Sequence, residues 1–290
     1  MITNPPEALP TSSVTPAPEI QSVTHAAWLL RAHLLEGSWK GEMEKAGCDA
    51  VLFNLKADDG TLGYVSRGGE AIRLQTTATD RRLNDKLKAV TATDQYVIAR
   101  VSCFKDNAAP KIDSTLALRS SGGYNWRDAT DKRWMDVTLP AARAYVMESI
   151  QEIVELGVDE ILLENSGYPT TGDLDSIRPG ASYDLDEPIG PVETFYQEVR
   201  EVLEGTGVKL SIATSEAVAL GQDDGSGQTL DLLEKYADRI YVPYSKTTDY
   251  AELLETRQRA SDSSLAPGRL VLMVPKGTAV DPAVSQLILW

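Results

Sequence analysis

From residue 25 onward two patterns take turns along the chain. Short β-rich apolar runs, HAAWLL (25–30), AVLFNLK (50–56), YVIARVSCF (96–104), DEILLEN (159–165), KLSIATSE (209–216), DRIYVPYS (238–245) and RLVLMVP (269–275), read as strands. Between them lie amphipathic helical patterns such as AARAYVMESIQEIVELG (141–157) and PVETFYQEVREVLEGTG (191–207). The second opens on Pro191 with Glu193 in its first turn and closes in glycine, as a helix should. Strands that are apolar almost throughout, separated by helices, imply parallel pairing with both sheet faces covered.

Seven such units favour an α/β fold of the closed (β/α)8 TIM-barrel type over an open doubly wound sheet. Only 15 residues follow Pro275, so the eighth unit is reduced, with QLILW (286–290) as its strand. A terminal helix, DPAVSQLILW starting at Pro282, is the competing reading. Loop lengths are asymmetric: the connections into strands are tight (LGVD, GTGV, YADR), whereas residues 57–82, 105–138 and 165–190 form long connections out of strands two, three and four. Long loops in a compact domain are commonly functional. In a barrel these all lie on the carboxyl rim, where barrel active sites are built. Residues 1–22, rich in Pro, Thr and Ser and without an apolar period, are expected to be a disordered linker, leaving 23–290 as the barrel domain.

Composition narrows the partners. A formal charge of −15 and a pI near 4.6 argue against nucleic acid, which requires a basic footprint, and against an anionic membrane surface. No run reaches the ~18–20 apolar residues of a membrane span. His25 and His33 are the only histidines, so no Cys/His metal cluster is expected, and no cofactor motif is found. GSWKGE and GQDDGSGQ match no phosphate loop, QDDGSG lacks the calcium-loop spacing, and no G-x-S-x-G elbow occurs. Cys48 and Cys103 fall about seven residue rises of ~3.3 Å apart along neighbouring strands, beyond the ~7 Å Cα spacing of a disulfide, so two free thiols are expected. The composition says nothing about oligomeric state.

Side-chain alternation groups the candidates. Leu52, Asn54 and Lys56 share a face of strand two, with Asp58 and Asp59 following in the loop. Ile98, Arg100, Ser102 and Phe104 share one of strand three, Leu162 and Glu164 one of strand four, and Ile212, Thr214 and Glu216 one of strand five. A charge directed into a barrel is costly unless paired or functional. Arg100, Glu164 and Glu216 are therefore expected near the mouth, as a site or as a structural ion-pair cluster. Glycoside hydrolysis requires two carboxyl groups flanking the scissile bond, and Glu164 and Glu216 are the expected catalytic pair. Asn54, Lys56, Asp58, Asp59, Arg100, Lys105, Trp126, Trp134, Tyr168 and Tyr244 are the expected substrate contacts. Aromatic faces suit sugar rings, while buried loop anchors are the other common use of tryptophan. An aldolase- or isomerase-like barrel would instead use a lysine such as Lys56, Lys105 or Lys276.

The stretches AVLFNLKADDGTLGY (50–64), YVIARVSCFKD (96–106), GYNWRDATDKRWMDV (123–137) and ELGVDEILLENSGYP (155–169), with IYVPYS after them, resemble the bacterial "putative glycosyl hydrolase" domain family of secreted and envelope-anchored proteins, an amylase-like barrel group. The resemblance implies a barrel, a carbohydrate ligand and an extracellular or envelope-anchored location. It implies a glycoside hydrolase acting on a polysaccharide or cell-envelope glycan, or a glycan-binding barrel that has lost the chemistry. Lys56, Asp58, Asp59 and Gly60 match the family's strand-two motif, but Asn54 and Glu164 stand where that family carries aspartate, and Gly167 where it carries arginine. MVPKG at the end of strand seven offers no carboxylate, which removes the commonest retaining β-glycosidase arrangement.

Overall fold

The computed structural model describes residues 24–178, 188–244, 269–280 and 284–289; the expected linker, residues 1–22, lies outside them. The strands are β1 His25–Leu29, β2 Ala50–Lys56, β3 Tyr96–Ser102, β4 Glu160–Glu164, β5 Lys209–Ala213, β6 Arg239–Pro243, β7 Leu270–Pro275 and β8 Ser285–Leu289. They close into one parallel barrel in sequence order. The terminal segment is a strand rather than a helix, because it joins β7 to β1: Leu287 pairs with Met273 on one side and Ala26 on the other.

The helices among the described residues are α1 Arg31–Glu36, α2 Trp39–Lys45, α3 Gly69–Arg73, α4 Arg82–Thr91, α5 Ala109–Ile112, α6 Pro140–Glu155, α7 Ile189–Leu203, α8 Glu216–Ala219 and α9 Leu230–Tyr236. In α6, Ala142, Tyr145, Val146, Ile150 and Ile153 recur at helical spacing and are buried. Gly157, at φ +85°, turns the chain into β4 at a backbone angle that favours glycine. None of these helices is long and apolar enough to cross a membrane.

An aspartate precedes each of β2, β4 and β6 and locks it to the strand before. Asp49, Asp159 and Asp238 accept the backbone N–H of His25, Val97 and Leu210 at 2.8–2.9 Å. The tight turns on the amino-terminal side are thus pinned by side chains.

Two cores result. The larger lies between strands and helices; the smaller fills the barrel with Ala26, Ala50, Leu52, Ile98, Leu162, Tyr241, Val271, Met273 and Leu287. Toward the amino-terminal end the interior is polar and, the Arg239 Nε apart, well hydrogen-bonded. Glu160 accepts hydrogen bonds from Tyr96, Ser211, Arg239 and Tyr241 at 2.7–2.8 Å, and Arg239 reaches Thr24. Burial, and then the Glu160 carboxylate, push the Tyr96 and Tyr241 phenols far up, so both remain donors.

Three face assignments are corrected. Phe104, past the end of β3 at Ser102, packs on Phe195 in the outer core and not inside the barrel with Ile98. On β5 it is Ser211 and Ala213 that turn inward, while Ile212 packs in the outer core; the alternation expected through Thr214 to Glu216 stops with the strand at Ala213. On β2 the register shifts between Asn54 and Lys56. This bulge sends the Lys56 side chain into the helix layer, 5.3 Å from the Tyr145 ring centre. A bulge breaks the inward–outward alternation that strand reading relies on.

Candidate functional site

Glu164 ends β4 at the carboxyl rim and faces Arg100 from β3. The Arg100 Nη2 donates to Glu164 Oε2 and Asp58 Oδ1, each at 2.6 Å, and Nη1 to Asn54 Oδ1 at 3.2 Å. The guanidinium also stacks 5.2 Å from the centre of the Trp28 ring on β1. Burial alone would lower the Arg100 pKa, but the Glu164 and Asp58 carboxylates outweigh it and hold the group above its ordinary value. Lys105 Nζ then lies 3.8 Å from Asp58 Oδ2 and 2.9 Å from Asp128 Oδ2, which also accepts the Trp134 indole N–H at 3.1 Å. Five charges of alternating sign therefore run from Glu164 through Arg100, Asp58 and Lys105 to Asp128. Asn165, at φ +49°, donates to Ser102 Oγ at 2.9 Å and to Asp58 at 3.4 Å; asparagine tolerates this left-handed geometry better than most residues.

One end of this network opens into a pocket of about 220 Å³ between the loops after β3, β4 and β5. Glu164, Asn165, Trp134, Tyr168, Asp224 and Met273 are among its walls. Glu164 Oε1 is buried without a hydrogen-bond partner, although its sister oxygen is tied to Arg100. Such an atom is costly unless a ligand or water completes it. The second carboxylate of the pocket wall is Asp224, which takes the Ser215 hydroxyl on Oδ2 at 2.6 Å and the Ser226 N–H on Oδ1 at 3.0 Å. Asp224 comes from the QDDGSG stretch, whose composition suggests only a flexible loop. What brings it to the pocket is Gly167: a Cβ there would stand 2.3 Å from the Ser226 carbonyl oxygen. The position where the resemblance predicts arginine is filled by this loop.

The expected site residues divide. Glu164, Trp134 and Tyr168 line the pocket; Arg100, Asp58, Asn54 and Lys105 stand behind Glu164 in the charge network. Glu216, expected as the partner carboxylate, is half-buried in the first turn of α8 and outside the pocket lining. Lys56, expected to contact substrate, is fully buried against Asp106 at 2.8 Å. Losing one member of such a buried pair costs about 3–5 kcal/mol of stability, so its role here is structural. Asp59 turns back to cap Thr61. Trp126 is a buried anchor whose indole N–H donates to the Asp173 carbonyl. Tyr244 packs against the outer core, its N–H bonded to the Met273 carbonyl. Trp28, Asn165 and Asp224 were not expected; tertiary contacts place them, and no sequence pattern singles them out. Among the described residues no group of His, Cys, Asp and Glu is arranged to hold a metal.

Residues 40–252 match the family described as "putative glycosyl hydrolase domain". No curated protein matches the sequence. Among solved structures, a hypothetical protein from Ruminiclostridium thermocellum is 25% identical, with TM-score 0.56 over 64% of this chain and 96% of its own. The PgaB (BpsB) glycoside hydrolase domain from Bordetella bronchiseptica is 11% identical with TM-score 0.63, covering 92% and 93%. Aspergillus fumigatus Ega3, solved with galactosamine, is 9% identical with TM-score 0.51, covering 94% of each chain. The likeness to the last two is one of fold.

Proposed function

Because the chain belongs to the family described as "putative glycosyl hydrolase domain", we propose that it is a glycoside hydrolase of a polysaccharide or cell-envelope glycan, with Glu164 as a catalytic carboxylate. The observation that carries this reading is Glu164 Oε1, buried in the pocket wall and unsatisfied while Arg100 holds Oε2. That is a carboxyl group of the pocket wall held at one oxygen by an arginine and left unsatisfied at the other. Trp134 supplies an aromatic wall suited to the apolar face of a sugar ring. Asp224 takes the place in the pair that Glu216 held in the sequence reading, because it shares the pocket with Glu164. The extracellular or envelope-anchored location goes with a glycan substrate, and fractionation of the native host tests it.

A second reading, a glycan-binding barrel without hydrolysis, draws on Asn54, which meets Arg100 as a neutral amide where the resemblance predicts a carboxylate. Glu164→Gln separates the two. It keeps an oxygen for Arg100 but cannot donate the acid proton or act as nucleophile. Hydrolysis of a glycan panel should fall by about 10²–10⁴-fold with folding and binding retained. A parent protein that binds glycans and cleaves none would establish the second reading instead.

A further inference from the structure

The β3–α6 connection folds into a small antiparallel lobe on the rim, bridged at Arg119–Asn125 and Arg127–Arg133. Alternation along it is regular. Leu118, Trp126 and Trp134 are buried, and each is followed or preceded by an arginine, Arg119, Arg127 and Arg133, that turns the other way. The three arginines line a groove of about 720 Å³ together with Tyr124, Asn125 and Ser176.

This concentration of positive charge is not explained by folding. Arg127 and Arg133 are direct partners across a bridge, where like charges destabilise. Arg127 meets the exposed Asp131 at 2.9 Å, but Arg133 is held by Asn107 Oδ1 at 2.8 Å, and Arg119 by Asn125 and the Gly123 carbonyl. Among the described residues neither of these two has a carboxylate within ion-pair distance, in a chain with 43 acidic residues to 28 basic. Burial, and to a lesser extent the neighbouring Arg127, lower the Arg133 pKa, while Asp131 opposes them. Tyr124, 77% exposed, offers an open ring at the same edge. The same two loops line groove and pocket with different residues: the β3 loop gives Trp134 to the pocket and Arg133 to the groove, and the β4 loop gives Tyr168 to one and Ser176 to the other.

We propose that this groove binds the anionic groups, carboxylate or phosphate, of an acidic polysaccharide. The inference rests on the glycoside reading for the pocket but concerns a separate surface. Arginine forks suit both anions, and the ring of Tyr124 stacks on a sugar between them.

Affinity electrophoresis tests it, with polygalacturonate, a poly(ribitol phosphate) teichoic acid and, as the uncharged control, fully methyl-esterified polygalacturonate. At least one anionic polymer should retard the protein, less so as salt rises, and the esterified polymer should not. The Arg119→Gln/Arg127→Gln/Arg133→Gln variant, with its melting temperature checked, should bind at least about tenfold more weakly, whereas Arg82→Gln, at an exposed arginine outside both the groove and the pocket lining, should bind as the parent does. Retardation by neither anionic polymer, or equal retardation of parent and triple variant, overturns the proposal. A groove that binds acidic glycan on a protein that cleaves none would uphold this inference and overturn hydrolysis; cleavage of glycans unaffected by the three arginines would do the reverse.

Discussion

Asp128 closes the line of alternating charges that begins at Glu164. Burial alone would raise its pKa, but Lys105, the Thr130 hydroxyl, the Trp134 indole and the Lys132 N–H outweigh it and hold the carboxyl well below the ordinary range. A folded-state pKa below the unfolded value of ~3.9 adds stability that is complete above that pH and lost as pH falls through the folded value. Asp128→Asn should therefore melt lower than the parent at neutral pH. The gap should narrow as pH is taken from about 5 towards 2; a gap constant with pH would remove Asp128 from the acid response. The same residue orients the Trp134 indole, so wall and charge network are set by one carboxylate.

At the scale of elements, the site depends on how closely the loop after β5 lies against the loop after β4. Tyr168 N–H donates to the Ser226 carbonyl at 2.8 Å, and Gly167 provides the space for that contact. In Gly167→Ala the added methyl would meet backbone rather than a yielding side-chain end. The β5 loop must then retreat and take Asp224 with it. Turnover should fall by about 10²-fold, the scale of a 1 Å misplacement at a reacting centre, with only a small change in melting temperature. Wild-type turnover in that variant would separate Asp224 from the chemistry. The β2 bulge is the other such device: by turning Lys56 outward to Asp106 it leaves Arg100 as the cation beside Glu164.

Across the whole molecule, packing in the larger core between strands and helices buries both cysteines. Cys48 and Cys103 are free and buried, and burial pushes the Cys48 thiol up to about 11. Both should resist a thiol reagent in the native protein at pH 8 and react fully on unfolding without reductant, as counted by mass spectrometry. Loss of labelling after unfolding would mean that they pair. The net charge of the chain is −15, and against that balance three arginines lining one groove stand out.

Periodicity determined the barrel. Apolar runs such as AVLFNLK and RLVLMVP cannot be solvated on either face, and helices such as Pro140–Glu155 carry a stripe that covers them. Loop asymmetry located the rim, and Glu164, a charge ending an apolar strand, was legible because folding alone favours an apolar side chain there. Strand identity did not determine which way residues face once a strand ends or bulges, and that is where Glu216 and Lys56 departed from expectation. Asp224, Asn165 and Trp28 carry no local signal. Their place is decided by contacts between loops and strands far apart in the chain, through a glycine that lets two loops touch and an arginine that gathers groups from three strands. Pairings of that kind depend on three-dimensional packing, which the period of a single sequence does not encode.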